Sequence, residues 1–302
     1  MTKVSWRKYR SWSGAKILGI KDFVLTDEQK KRHIWRGLWL TAMAEGGGKF
    51  GAVQSYDGAG ISAGLEHKIG VYPRSMKQGS IWRLLREFEL HAPCQALDNL
   101  WSELKRDKKY IAQDGSLRHW ETGRLITGAE IRDLVAPPGG RVPRKGPKWE
   151  KAEMWAVLFH DLFADEVTYQ VQIDSAIESL VKGNQRVESA AYKETVGLEH
   201  PTAIEFGKNI SAEHDLAWNV YHSFSVNAPS MGRIRLQASR PDASSEWPKR
   251  LIKTLGTTNY GRWHDTVDGG NRYDRTRVFA IRSNLWPAEL FNGPTAIMPR
   301  NI

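Results

Sequence analysis

The sequence is nearly without cysteine: Cys94 is the only one in 302 residues. No intramolecular disulfide can form, and a zinc site built on thiolates is excluded. Also missing is any apolar run near the ~20 residues that a bilayer-spanning helix needs. The opening residues, "MTKVSWRKYRSWSGAKILGIKD", are basic but have no apolar centre, so no secretory signal is expected. There are no internal repeats and no low-complexity tracts. The helix-turn-helix, zinc-finger and aromatic RNA-binding signatures that would direct a basic chain to a specific nucleic acid are absent too.

What is present describes a soluble globular protein. Hydrophobic residues make up 40% of the chain and mean hydropathy is -0.52. The length suits one large domain or two smaller ones. A formal charge of +10 and a pI of about 9.6 favour polyanionic partners, whether nucleic acid, an anionic membrane or bacterial wall. The 13 tryptophans are the more unusual figure. Most are expected in the core, and the remainder can offer flat apolar surfaces to the C–H faces of sugars.

Periodicity predicts helices through most of the chain. Residues 27–44 read as the first, with Thr26 as N-cap, Asp27 and Glu28 in the first turn, and a stripe of Ile34, Trp35, Leu38, Trp39, Ala42 and Met43. Gly46 to Gly48 end it. From Phe50 to about Tyr72 the short apolar runs are broken by glycine, which predicts a small irregular sheet or hairpin. Ser80 to about Lys105 predicts helix bent at Pro93, and Gly128 to Val135 a short one. Further helices are expected at 149–163, 166–181, 203–208, 212–224 and 247–255. The fold class is therefore mainly α with one small β element, an α+β protein. It reads as a single domain of residues 1–302 with a basic N-terminal arm. The Pro/Gly-rich loop 136–148 is the alternative boundary, dividing 1–135 from 149–302.

The chemistry gathers in "AMAEGGGKFGAVQSYDGAGISAGLEHKIG", Ala42 to Gly70. Glu45 is placed at the C-terminal end of a helix, where the macrodipole and partial burial both raise a carboxyl pKa. A glutamate kept protonated near neutral pH can act as general acid on a glycosidic oxygen. Asp57 follows twelve positions later, beyond a glycine-rich turn. Two carboxyls in unlike environments are the chemistry of glycoside hydrolysis. Glu66 is the alternative second carboxylate.

This stretch resembles the lysozyme-like superfamily, in particular the phage-type endolysins or muramidases. Their pattern is a Glu ending a helix, followed by a hairpin of roughly Tyr-x-Asp-x-x-Gly-x-x-Thr-x-Gly-x-Gly-His. Here "SYDGAGISAGLEH" supplies Tyr56, Asp57, Gly60, Ser62 in place of the Thr, Gly64 and His67. Glu66 stands where a glycine is usual. The resemblance covers about 30 residues and implies a helical body with a small sheet beside the substrate cleft. It implies Glu45 as the acid, Asp57 as the carboxylate that stabilises the oxocarbenium-like charge or positions water, and Ser62 as support for that water or for Asp57. His67 takes a mainly structural role, and with Gln54 and Tyr56 it is also a candidate substrate contact.

The implied partner is the amino-sugar chain of peptidoglycan, with anionic wall or outer-membrane components as secondary partners. The protein is then made in the cytoplasm and acts at the bacterial wall after release or delivery, as a phage lysin or an antibacterial effector does. A lytic transglycosylase is the neighbouring alternative. A non-catalytic basic protein that binds wall or nucleic acid is the alternative from another class.

Farther along, Asn227, Arg272 and Tyr273 lie in polar loops and are further candidate sugar contacts. The pairs His160-Asp161, His214-Asp215 and His264-Asp265, with His222, evoke metal-dependent phosphohydrolases. They read here as caps and surface residues, and neither a metal nor an organic cofactor is expected.

Overall fold

The computed structural model describes residues 48–54, 59–73, 75–135 and 147–176, with 38, 41, 42, 178 and 246 as isolated positions. Residues 48–176 of this set belong to one compact unit, and the isolated positions belong to a second. Leu38, Thr41 and Ala42 are helical and buried, as the stripe predicted for Leu38 and Ala42. The expected helices at 203–208, 212–224 and 247–255 lie outside the described residues.

Helix α1, Ile81–His91, buries Ile81, Trp82, Leu84, Leu85 and Phe88, the spacing of one helical face. It stops at Ala92 because Pro93 disfavours helical geometry in the residue before it. Cys94 is then fully extended, and α2 begins afresh as Gln95–Arg106 with Leu97, Leu100 and Leu104 buried. The single bent helix expected across Pro93 is therefore two helices. Lys105 and Arg106 fall in the last turn of α2, where the helix dipole favours cations.

Helix α3 is Gly128–Val135, as expected. Its start is a capping box: Thr127 N donates to Glu130 Oε2 at 2.8 Å, and Glu130 N donates to Thr127 Oγ1 at 3.3 Å. Helix α4, Pro147–Ala164, starts two residues before the expected position, with proline in the first turn where its missing N–H costs nothing. It packs against α2, α3 and the sheet below, burying Trp155, Phe159, Leu162 and Phe163. Beyond it, Asp165 caps a 3₁₀ turn, Glu166–Thr168, and residues 169–176 are helical. The helix expected from Glu166 thus begins with a tighter turn.

One β element was expected, and the described residues hold three small antiparallel sheets. Strands β1 Val53–Gln54, β2 Ser62–Ala63 and β3 Lys68–Ile69 form the first in that order. Strands β4 Val71–Tyr72 and β5 Lys77–Gln78 form the second. The third, β6 Lys109–Ile111 with β7 Leu117–His119, closes on an Asp114-Gly115 turn in which Gly115 has φ +74°. Gln78 joins the last two sheets. Its amide donates at 2.7 Å to the carbonyls of Leu117 and Ile126, and its oxygen accepts from Leu117 N at 2.7 Å.

An aromatic cluster holds the core. Trp82 meets Phe159 edge-on, and Phe88 meets Phe163 likewise with centroids 5.2 Å apart. Trp82 Nε1 donates to Gly70 O at 2.8 Å, tying α1 to the edge of the first sheet. Trp82 and Trp155 are buried and Trp101 packs on the core, whereas Trp120 stands out in solvent. Among the described residues, no helix is long and apolar enough to cross a membrane.

Candidate functional site

The glycine-rich stretch folds around β1, β2 and β3. Gln54 pairs with Ser62 and Ser62 with Ile69, so these three share one face of the sheet. Val53, Ala63 and Lys68 share the other. Val53 and Ala63 are buried against α4, which sets the register: a slip of one residue would turn them outward.

Gly64 and Gly51 show why glycine is needed here. Gly64 opens the β2–β3 turn at φ +83°, and a Cβ there would come within 2.7 Å of the Phe163 ring. Gly51 lies so close to α4 that a Cβ would meet Ala164 Cβ at 2.8 Å. His160 clamps this approach, its Nδ1 lying 2.7 Å from Gly51 O. Beside it, Phe50 stacks on Tyr169 with ring centroids 3.9 Å apart. The chain just after the Gly46–Gly48 run is thus fixed against the end of α4.

Of the residues singled out from the sequence, Gln54, Ser62, Glu66 and His67 fall within the described set. Glu45, Tyr56, Asp57, Asn227, Arg272 and Tyr273 lie outside it. The sheet brings Gln54 and Ser62 directly opposite each other. Ser62 is only 2% exposed, at the centre of the sheet. A hydroxyl so enclosed is out of reach of a bulky substrate. Gln54 is half-buried. His67 adopts φ +47° in the β2–β3 turn, and its N–H donates to Gly64 O at 3.1 Å, so its backbone closes the turn.

Glu66 is buried, and its Oε2 accepts from Lys68 Nζ at 2.9 Å. Lys68 had not been picked out from the sequence. The signal was there in two opposite charges flanking His67 in a glycine-bounded turn.

Of the three His-Asp pairs, only His160-Asp161 is described. His160 Nδ1 lies 2.7 Å from Gly51 O, while Asp161, next to it on α4, keeps much of its surface exposed. Crowding by the surrounding protein pushes the Asp161 carboxyl up, with the neighbouring His160 pulling it the other way. Among the described residues, no group of three His, Cys, Asp or Glu side chains is placed to hold a metal. The other pairs, with His222, lie outside the described set.

Cys94 is half-buried at the start of α2. Burial pushes its thiol up, the Leu97 backbone amide opposes this, and the Asp165 charge adds to the rise. Such a thiol stays protonated near neutral pH, which disfavours a cysteine nucleophile.

No protein-family model, curated protein or solved structure matches this chain.

Proposed function

We propose that this protein is a peptidoglycan-cleaving glycoside hydrolase of lysozyme-like type. Glu45 protonates the glycosidic oxygen as the bond to C1 breaks. Asp57 opposes the positive charge that develops on the sugar or orients the attacking water, and Ser62 holds that arrangement. The water adds to C1 and gives up a proton, leaving a new reducing end.

The observation that carries this reading is the register Gln54–Ser62–Ile69 with Gly64 in the left-handed turn. Within the segment that resembles the lysozyme-like hairpin, the described residues 59–67 have the motif hydroxyl Ser62 in the middle strand and the motif glycine Gly64 in a left-handed turn against Phe163. The α+β character of the described residues and the +10 charge, suited to an anionic wall, support the same reading. Gln54, Tyr56 and His67, with Asn227, Arg272 and Tyr273, are the proposed sugar contacts. Action at the bacterial wall after release or delivery follows from that substrate.

Mass spectrometry of purified peptidoglycan after incubation with the protein tests the proposal. New reducing ends are expected. Anhydro ends would mean transglycosylation, in which the substrate's own hydroxyl replaces water, and intact glycan would overturn both.

A further inference from the structure

The β6–β7 hairpin carries an exposed face that the proposed reaction does not use. Leu117 on β7 is fully buried, and Ile111 opposite it packs against the core. The next pair, Tyr110 and Arg118, therefore faces outward. Trp120 N donates to Lys108 O at 2.8 Å, extending the ladder by one step and putting Trp120 on the same outward face. Leu125 bridges Arg118 and joins that face, while its neighbour Ile126 turns into the core.

Trp120 is 55% exposed and Leu125 49%. Tyr110 supports the indole edge-to-face, with centroids 5.6 Å apart and planes at 82°. Arg118 is locked between them. Its Nε donates to Ser116 Oγ at 2.9 Å, Nη1 to Gly123 O at 3.1 Å and Nη2 to Asp114 Oδ2 at 3.0 Å.

The result is an exposed aromatic and aliphatic patch braced by Tyr110, and we infer that it binds neutral pyranose rings of a glycan strand through the face of Trp120. Charge decides against a polyanion. Lys108 is paired with Glu121 at 2.7 Å, Arg118 with Asp114 at 3.0 Å and Arg124 with Glu130 at 2.6 Å, so the cations around the indole already hold carboxylates. A nucleic-acid platform needs such cations available for phosphates. Size decides against a second protein copy. Five side chains form the face, Lys108, Tyr110, Arg118, Trp120 and Leu125, whereas a stable protein interface uses roughly 20–30 residues a side. A ring or two of sugar matches it, with C–H groups against the indole. This inference rests on the hairpin alone and not on catalysis.

The test is titration of the full chain carrying Glu45→Gln with a β-1,4-linked oligomer of N-acetylglucosamine, followed by calorimetry. Trp120→Ala should weaken binding by about tenfold, and Trp120→Phe by much less. Leu125→Ala should weaken it too, with melting temperatures unchanged because both positions are exposed. Binding should persist as salt is raised. Equal affinity of the parent and Trp120→Ala, or no binding by the parent, overturns the inference. Salt-sensitive binding lost on raising ionic strength, or a dimer in sedimentation that Trp120→Ala dissolves, overturns it in favour of a polyanion or of self-association. Cleavage by the native chain with no role for Trp120 sinks this inference alone. Sugar binding through Trp120 by a chain that cleaves no peptidoglycan sinks the proposed reaction alone.

Discussion

Lys68 Nζ donates to Glu66 Oε2 at 2.9 Å, with both side chains almost wholly enclosed in the hairpin that carries Ser62. Two charges removed from water hold together only while both are present. Glu66→Gln keeps an acceptor but removes the negative charge that Lys68 Nζ faces at 2.9 Å, so the fold should lose about 2 kcal/mol in urea unfolding. Adding Lys68→Met should recover part of that loss, since an apolar side chain of similar length has no charge to solvate. An additive double mutant would mean that the pair contributes nothing to the hairpin.

At the start of α3, Arg124 hydrogen-bonds Glu130 and holds its carboxyl at about 2 against an ordinary 4.5, helped by the Thr127 amide. Asp114, bonded by Ser116 and Arg118, lies at about 2 against 3.8. Both values are depressed in the folded state, so their contribution is present above the ordinary carboxylate range and is lost as pH falls toward 2. Melting temperature should therefore drop on acidification below about 4.5. Glu130→Gln should flatten that drop, and Thr127→Ala should cost about 1 kcal/mol at neutral pH by removing the cap. A Glu130→Gln chain with an unchanged acid profile would rule out this link.

Burial, aided by the Asp165 charge, pushes the Cys94 thiol up. The thiolate is the reactive form, so alkylation by iodoacetamide at pH 7 should be slower than for free cysteine in solution. Asp165→Asn should speed it by removing the nearby negative charge. Alkylation as fast as free cysteine would contradict this environment.

Helix existence was legible where apolar residues recur strongly, as in Ile81 to Phe88 and Gly128 to Val135. Boundaries were less so. Pro93 marks a break, but only the extended Cys94 turns a bend into two helices. The β6–β7 hairpin escaped because its outward face carries Tyr110 and Trp120, so apolar residues fall on both sides and alternation is lost. Its Asp114-Gly115 turn was the available signal. At the hairpin of the candidate site, the glycines at 51 and 64 were visible, but their partners were not. His160 and Phe163 are about a hundred residues away in the chain, and spacing within a motif cannot reveal contacts that only tertiary packing creates.

Which of Glu45, Asp57 and the alternative second carboxylate Glu66 carry the chemistry can be decided by rates. Glu66 Oε2 is engaged by Lys68 Nζ at 2.9 Å inside the hairpin. Glu45 is the carboxylate that the motif assigns to proton donation. Glu45→Gln is nearly isosteric and still hydrogen-bonds, but it cannot protonate a leaving oxygen, so peptidoglycan cleavage should fall by at least ~10²-fold. Asp57→Asn should also lose rate, because it removes the charge that opposes the developing cation. Glu66→Gln should keep the wild-type rate when assayed well below its lowered melting temperature. Clearing of permeabilised Gram-negative cells gives the rates, and thermal unfolding separates lost chemistry from lost structure. A Glu45→Gln chain that clears cells at the wild-type rate, beside a folded but inactive Glu66→Gln chain, would move the acid to Glu66 and require Lys68 to release it before each turnover.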